Sequence, residues 1–218
     1  MSTSARRPEP TAPPGRTERI RAAILAAAEQ VFLRDGFVGA SMDDVARLAG
    51  SSKQTVYKHF GSKEALFIDL VTSMTATTGD PVGHEAADAS GEPAVNLTAL
   101  AIEMLDAVLT PRILRLRRLV IGEANRFPEL GKALFEHGPA RAIAGVERRL
   151  ATWIEAGTLP QHETGTAAEH FNWLVMGAPL NSAMLLGDDA IFSSTQRQAH
   201  AKTAVAALLR SIGASAPP

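Results

Sequence analysis

The chain contains no cysteine, which excludes disulfides, thiolate metal sites and cysteine redox chemistry. It has no basic start followed by a run of about 18 uncharged apolar residues, so neither a signal peptide nor a membrane span is expected, and the expected location is the cytoplasm. His59, His137, His162, His170 and His200 are scattered and form no H-x-x-x-H pair, so no metal site is expected. Glu163, Glu169 and His170 lie close together, but neither a nucleophile nor a Gly-rich phosphate loop accompanies them. They read as solvated helix polars, and no catalytic residue or cofactor is expected.

Excess charge is also missing: the net value is −1. Its distribution is uneven. Residues 1–66 hold ten Lys/Arg against seven Asp/Glu, a balance of +3, and residues 67–218 hold twelve against sixteen, a balance of −4. A mildly basic first third on an acidic body suits a head that meets phosphates. The bias is small and needs a motif beside it.

The motif is SMDDVARLAGSSKQTVYKHFGSK, residues 41–63. Ser41 with Asp44 makes an S-x-x-D capping box. Met42, Val45, Ala46 and Ala49 recur at helical spacing and give one apolar face. Gly50 follows, where a left-handed residue ends a helix without a Cβ clash. Ser51 or Ser52 caps a second helix, KQTVYKHF, which Gly61 stops. Ser62 then opens another helix, with Glu64 in its first turn. Ala46 is small where the two short helices would cross, and Val56 would pack back onto the first. This spacing predicts a helix-turn-helix, which needs a supporting helix to complete its core. The second helix keeps Lys53, Gln54, Thr55, Tyr57, Lys58 and His59 outside. Gln54 and Thr55 suit base edges in a major groove. Tyr57, Lys58, His59 and, from the next helix start, Lys63 suit phosphates. The candidate DNA-contacting set is Ser41, Met42, Ser52, Lys53, Gln54, Thr55, Tyr57, Lys58, His59 and Lys63. A helical hairpin with a merely solvated polar face is the plainer alternative.

The supporting helix is Thr17–Arg34, with Ile20, Ile24, Ala27, Ala28, Val31 and Phe32 as its stripe. Asp35–Gly36 ends it and Phe37 plugs back into the core. Gly36–Phe37, SMDDVARLAG and SSKQTVYKHFGSKEALF, with the helix before them, resemble the tetracycline-repressor-like (TetR) family of transcriptional regulators. The resemblance covers roughly residues 17–70. Ser51 departs from it, since the family often places an apolar residue in that turn. The resemblance implies an all-α homodimer of about nine helices, with a helix-turn-helix head and a divergent ligand-binding body, and favours repression over activation.

Further along, residues 1–16 (rich in Pro and polar groups) read as a disordered arm, whose Arg6, Arg7 and Arg16 either touch DNA or do nothing. The head is expected at 17–63, a connecting helix at 64–76, a linker at 77–93 containing a solvated His84, the ligand-binding and dimerisation domain at 94–213, and a loose tail at 214–218. Thr110–Pro111 marks a helix start by cap and N1 proline. The helix beyond carries Arg112, Arg115, Arg117 and Arg118, which form either an anion site or a solvated face paired to acids. Pro128 opens a helical region to about Glu155, with a kink or break at Gly138–Pro139. Residues 166–186 are apolar almost all round and so must be buried on most faces, with interruptions expected at Gly177 and Pro179. The segment FPEL followed by GPARA is similar to the ligand domains of the AefR-like branch.

Two copies of the 166–186 helix and the last helix, 195–212, would make a four-helix dimer seam. Phe171, Leu174, Ala178 and Ala206 are the seam candidates. A two-fold dimer calls for a near-palindromic operator. The family resemblance and the expected helix breaks suggest a pocket for an apolar or aromatic effector, lined by Met104, Phe127, Phe135, Trp153 and Trp173, with Asn172 or Arg118 as polar handle. Each of these residues also reads as plain core. Other functional readings are a helical small-molecule-binding protein or enzyme whose hairpin is structural, and a DNA-binding regulator that answers to a protein partner.

Overall fold

The computed structural model describes residues 15–77 and 91–214. The calls on Arg6, Arg7 and His84, and on most of the arm, linker and tail, lie outside these residues. The described chain is all-α and divides between Leu66 and Phe67 into two compact units. No helix among the described residues is long and apolar enough to cross a membrane.

In the first unit α1 spans Arg16–Gly39. It begins one residue inside the expected arm, where Glu18 accepts a hydrogen bond from the Gly15 N–H. Gly36 interrupts it with φ +73°, a conformation open to glycine at little cost. The break turns Phe37 back, and its ring stacks on Phe32 at 5.9 Å between centroids. α2 (Met42–Leu48) packs on α1, and α3 (Lys53–Phe60) packs on α2. α4 starts at Lys63 in this unit and runs to Thr77 in the second.

The second unit is a helical body: α5 (Pro93–Val108), α6 (Pro111–Glu123), α7 (Pro128–Phe135), α8 (Arg141–Glu155), α9 (Thr164–Leu186) and α10 (Ser194–Ser211). Thr110 caps α6 by accepting from the Ile113 N–H at 3.2 Å. α9 contacts α5, α6, α8 and α10, and α10 also lies on α5. Their inward residues, among them Leu97, Met104, Val146, Trp153, Phe171 and Val175, share one apolar core.

At Gly138–Pro139 the chain stays helical. A π-turn, Glu136–Ala140, joins α7 to α8 and absorbs the proline, whose ring disfavours a regular turn. Nine α-helices result among the described residues when this run is taken as one. The expected interruption at Gly177 and Pro179 does not occur: α9 runs through both. A proline here removes the N–H that would serve the Val175 carbonyl. His200 on α10 replaces it, with Nε2 2.9 Å from that oxygen and 3.1 Å from the Leu174 carbonyl.

Candidate nucleic-acid interface

Local capping builds the α2–α3 hairpin. The Asp44 N–H donates to Ser41 Oγ at 3.1 Å, and that hydroxyl donates to Asp44 Oδ2 at 2.7 Å. Arg47 donates to the same carboxylate at 2.7 Å. Arg47 first, then Ser41, hold the Asp44 pKa below its ordinary value. At the end of α2, Gly50 has φ +62°. Its N–H bonds the Arg47 carbonyl, and the Ser51 N–H bonds Ala46 at 3.0 Å, the six-to-one and five-to-two pair of a Schellman ending. Ser51 thus takes part through its backbone, which explains why the turn tolerates a polar residue. Ser52 is the cap of α3, accepting from the Thr55 N–H at 3.1 Å.

This frame fixes which side of α3 is free. Val56 is fully buried and Phe60 nearly so, while Ser52, Lys53, Gln54, Tyr57 and Lys58 are exposed. No acid lies in the first turn of α3, and Lys58 and His59 occupy its last. Gln54, Tyr57 and Lys58 therefore present a polar face with acceptors, donors and a positive charge. Lys53 is held by Asp43 at 2.9 Å, a pair between two exposed side chains that water screens.

Four members of the expected set sit differently. The Met42 side chain is buried, because it is the first apolar residue of the α2 stripe. The Thr55 hydroxyl lies 2.8 Å from Ser52 Oγ and is half-buried, so it belongs to the cap as much as to the outer face. Lys63 turns back on α1: its Nζ donates to the Val38 and Ala40 carbonyls and lies 4.9 Å from the centre of the Phe37 ring. Ser41 is likewise half-buried and engaged in its cap.

In the body the expected pocket residues are split: Met104 and Trp153 (1% exposed) share the apolar core, whereas Phe135 and Trp173 (59%) face outward. Asn172 is buried and Phe127 is half-buried beneath Arg126. Trp173 is therefore corrected from pocket wall to surface residue, as is Phe135. Arg118 is corrected from ligand handle to helix cap. It donates to the last-turn carbonyls of α9, Ala183 at 2.6 Å and Met184 at 3.3 Å, and lies 3.6 Å from Asp188. Of the seam candidates, Phe171 is wholly buried within its own subunit and offers nothing to a partner. Leu174 and Ala178 are exposed and Ala206 is half-buried.

Two side chains take roles beyond those expected from the sequence. His200 serves α9 across 25 residues of chain, which no local pattern reports. Glu163 caps α9, accepting from the Gly165 and Thr166 N–H groups. It stands directly before the apolar run, a signal that was present but unread.

With this geometry in view, the comparisons with known proteins are informative. A family model described as bacterial regulatory proteins, tetR family, matches residues 24–70, and one described as AefR-like transcriptional repressor, C-terminal domain, matches residues 95–213. A TetR-family transcriptional regulator from Mesorhizobium loti, of known structure, is 32% identical, with TM-score 0.82 over 91% of this chain and 98% of that one. The flavonoid-responsive regulator FrrA is 28% identical, with TM-score 0.74 over 89% and 97%. The HTH-type transcriptional repressor NicS of Pseudomonas putida is 40% identical over 60 residues, which is 28% of each chain. The chain thus spans under a third of that curated relative's length.

Proposed function

Because this chain belongs to the TetR family of bacterial transcriptional regulators, with an AefR-like C-terminal domain, we propose that it is a homodimeric repressor released from a near-palindromic operator by a small organic effector. The family comprises DNA-binding transcriptional regulators rather than enzymes, and this chain is one.

The observation that carries the reading is the free face of α3. Val56 and Phe60 anchor the helix inward, and the opposite side offers Gln54, Tyr57 and Lys58 without an acid in the first turn. A helix of this kind fits the major groove. Gln54 pairs with a base edge, preferably the N6/N7 edge of adenine, and Lys58 meets a phosphate. Lys53 exchanges Asp43 for phosphate on binding.

Dimerisation uses the outer face of α9. Trp173, Leu174, Ala178 and Leu185 recur there at helical spacing and are exposed, and the small residue Ala206 lies on the adjoining α10. An apolar stripe of this kind on a soluble body marks an interface. A two-fold pairing sets two reading helices about 34 Å apart or at a longer helical-turn multiple. The effector acts by favouring a body geometry whose heads no longer match the half-sites, which demands differential affinity for the two states.

The test is selection of bound fragments from genomic DNA with the purified protein, followed by release with candidate ligands and repeated over a salt series. Recovery of near-palindromic sites with steeply salt-dependent affinity is expected. Recovery of no sequence above background would sink the reading.

A further inference from the structure

We propose that Arg117 anchors the carboxylate of an apolar organic monoacid bound within the body. The proposal rests on the effector reading above and names the chemistry of that effector.

The four arginines of α6 have different environments. Arg112 and Arg115 are exposed, and Arg115 folds back on the Pro111 carbonyl at 3.2 Å. Arg118 serves the end of α9. Arg117 lies one turn from Ile113, Leu114 and Val120, all of them buried, so it sits on the inward side of its helix. Its Nε is buried and meets no acceptor among the described residues. Burial holds its pKa below the ordinary value, and no ion pair to it is found among the described residues.

The Arg117 side chain is half-buried with its Nε out of reach of water. A guanidinium cannot shed its proton as a lysine would, and a charge partly withdrawn from water without a counter-charge is unfavourable. An anion removes the conflict. Nε together with one terminal nitrogen forms a fork that fits a carboxylate side-on, and the Nε half of that fork is vacant. The aliphatic neighbours argue against a strongly hydrated inorganic dianion, which would lose its water to a single cation, and in favour of a monoanion with an apolar body. A second donor in the body core is also unmet: the indole N–H of Trp153 has no partner among the described residues.

The experiment uses the full-length dimer and two matched pairs of probes, decanoate with decanol and 4-phenylbutyrate with 4-phenylbutanol, with sodium sulfate as control. Thermal shift and release of the selected operator fragment are both read. At least one acid is expected to bind about tenfold or more tightly than its alcohol, and sulfate is expected to have no effect. R117Q removes that preference and R115Q keeps it. Without ligand, R117Q raises Tm, because a neutral side chain relieves the uncompensated charge. R117K, which keeps the charge and loses the fork, weakens the acids if R117Q does not fold.

Acids that bind no better than their alcohols overturn the proposal, and so does an acid preference that survives both R117Q and R117K. A lower Tm of R117Q without ligand, together with no acid binding, shows that a carboxylate of the protein already matches Arg117 and also overturns it. Alcohols that release operator while the acids do not leave the effector reading standing and remove only the Arg117 anchor. Failure of every compound across a broad panel to shift operator binding removes the effector reading itself.

Discussion

Nε2 of His200 lies 2.9 Å from the carbonyl oxygen of Val175, the oxygen whose helical donor is lost to Pro179. One ring on α10 therefore lets α9 pass a proline, and it ties together two helices proposed to form the dimer seam. The same ring meets Phe192 edge-on at 5.8 Å.

His200→Phe keeps an aromatic ring and removes the donor. A destabilisation of about 1–2 kcal/mol is expected by urea denaturation, because a part-buried carbonyl loses its partner. In a Pro179→Ala background the backbone N–H returns, so the cost of His200→Phe should fall to about half or less. Equal costs in both backgrounds would show that the ring does not compensate for the proline.

Glu163 gives a pH test. Hydrogen bonds from the Thr166 hydroxyl, then from the Thr166 and Gly165 N–H groups, hold its pKa below the ordinary value. A group with a depressed folded pKa contributes stability above its unfolded pKa, about 4.3, and loses it as pH falls through the folded value. Glu163→Gln should therefore lower Tm at pH 7, and the difference from the parent should shrink steadily below about pH 4. A difference that is constant from pH 7 to pH 3 would remove the charge from the cap.

Trp173 tests assembly. Trp173→Glu puts a charge on an exposed, 59% accessible residue of α9, so the fold should tolerate it. Sedimentation should show a monomer at micromolar concentration with unchanged helical circular dichroism, and operator affinity should drop. A dimer of parental strength would relocate the seam.

The head was legible because its determinants are local. Ser41 and Ser52 caps, Gly50 in the turn and inward Val56 all act within a few residues of one another. The body was less legible. Its long apolar helix was expected to be buried on most sides, yet one stripe is buried and Trp173, Leu174, Ala178 and Leu185 stay exposed in the subunit; apolarity all round conceals which side is left over. Phe171 went to the core and Trp173, two residues on, to the surface. Pro179 was read as a break because its rescue comes from a histidine distant in sequence. Arg118 looked like a handle for a ligand because nothing local shows that the carbonyls it meets belong to α9.

The most direct measurement is operator binding by Gln54→Ala and Lys58→Ala, each on the preferred site and on single-base variants, over a salt series. Gln54→Ala should change base preference at one position per half-site, by about 1–3 kcal/mol where a bidentate contact is lost. Lys58→Ala should weaken all sites alike and reduce the salt slope by about one per subunit. If the two variants lose affinity identically on every sequence, or neither loses any, α3 is not the reading helix described here.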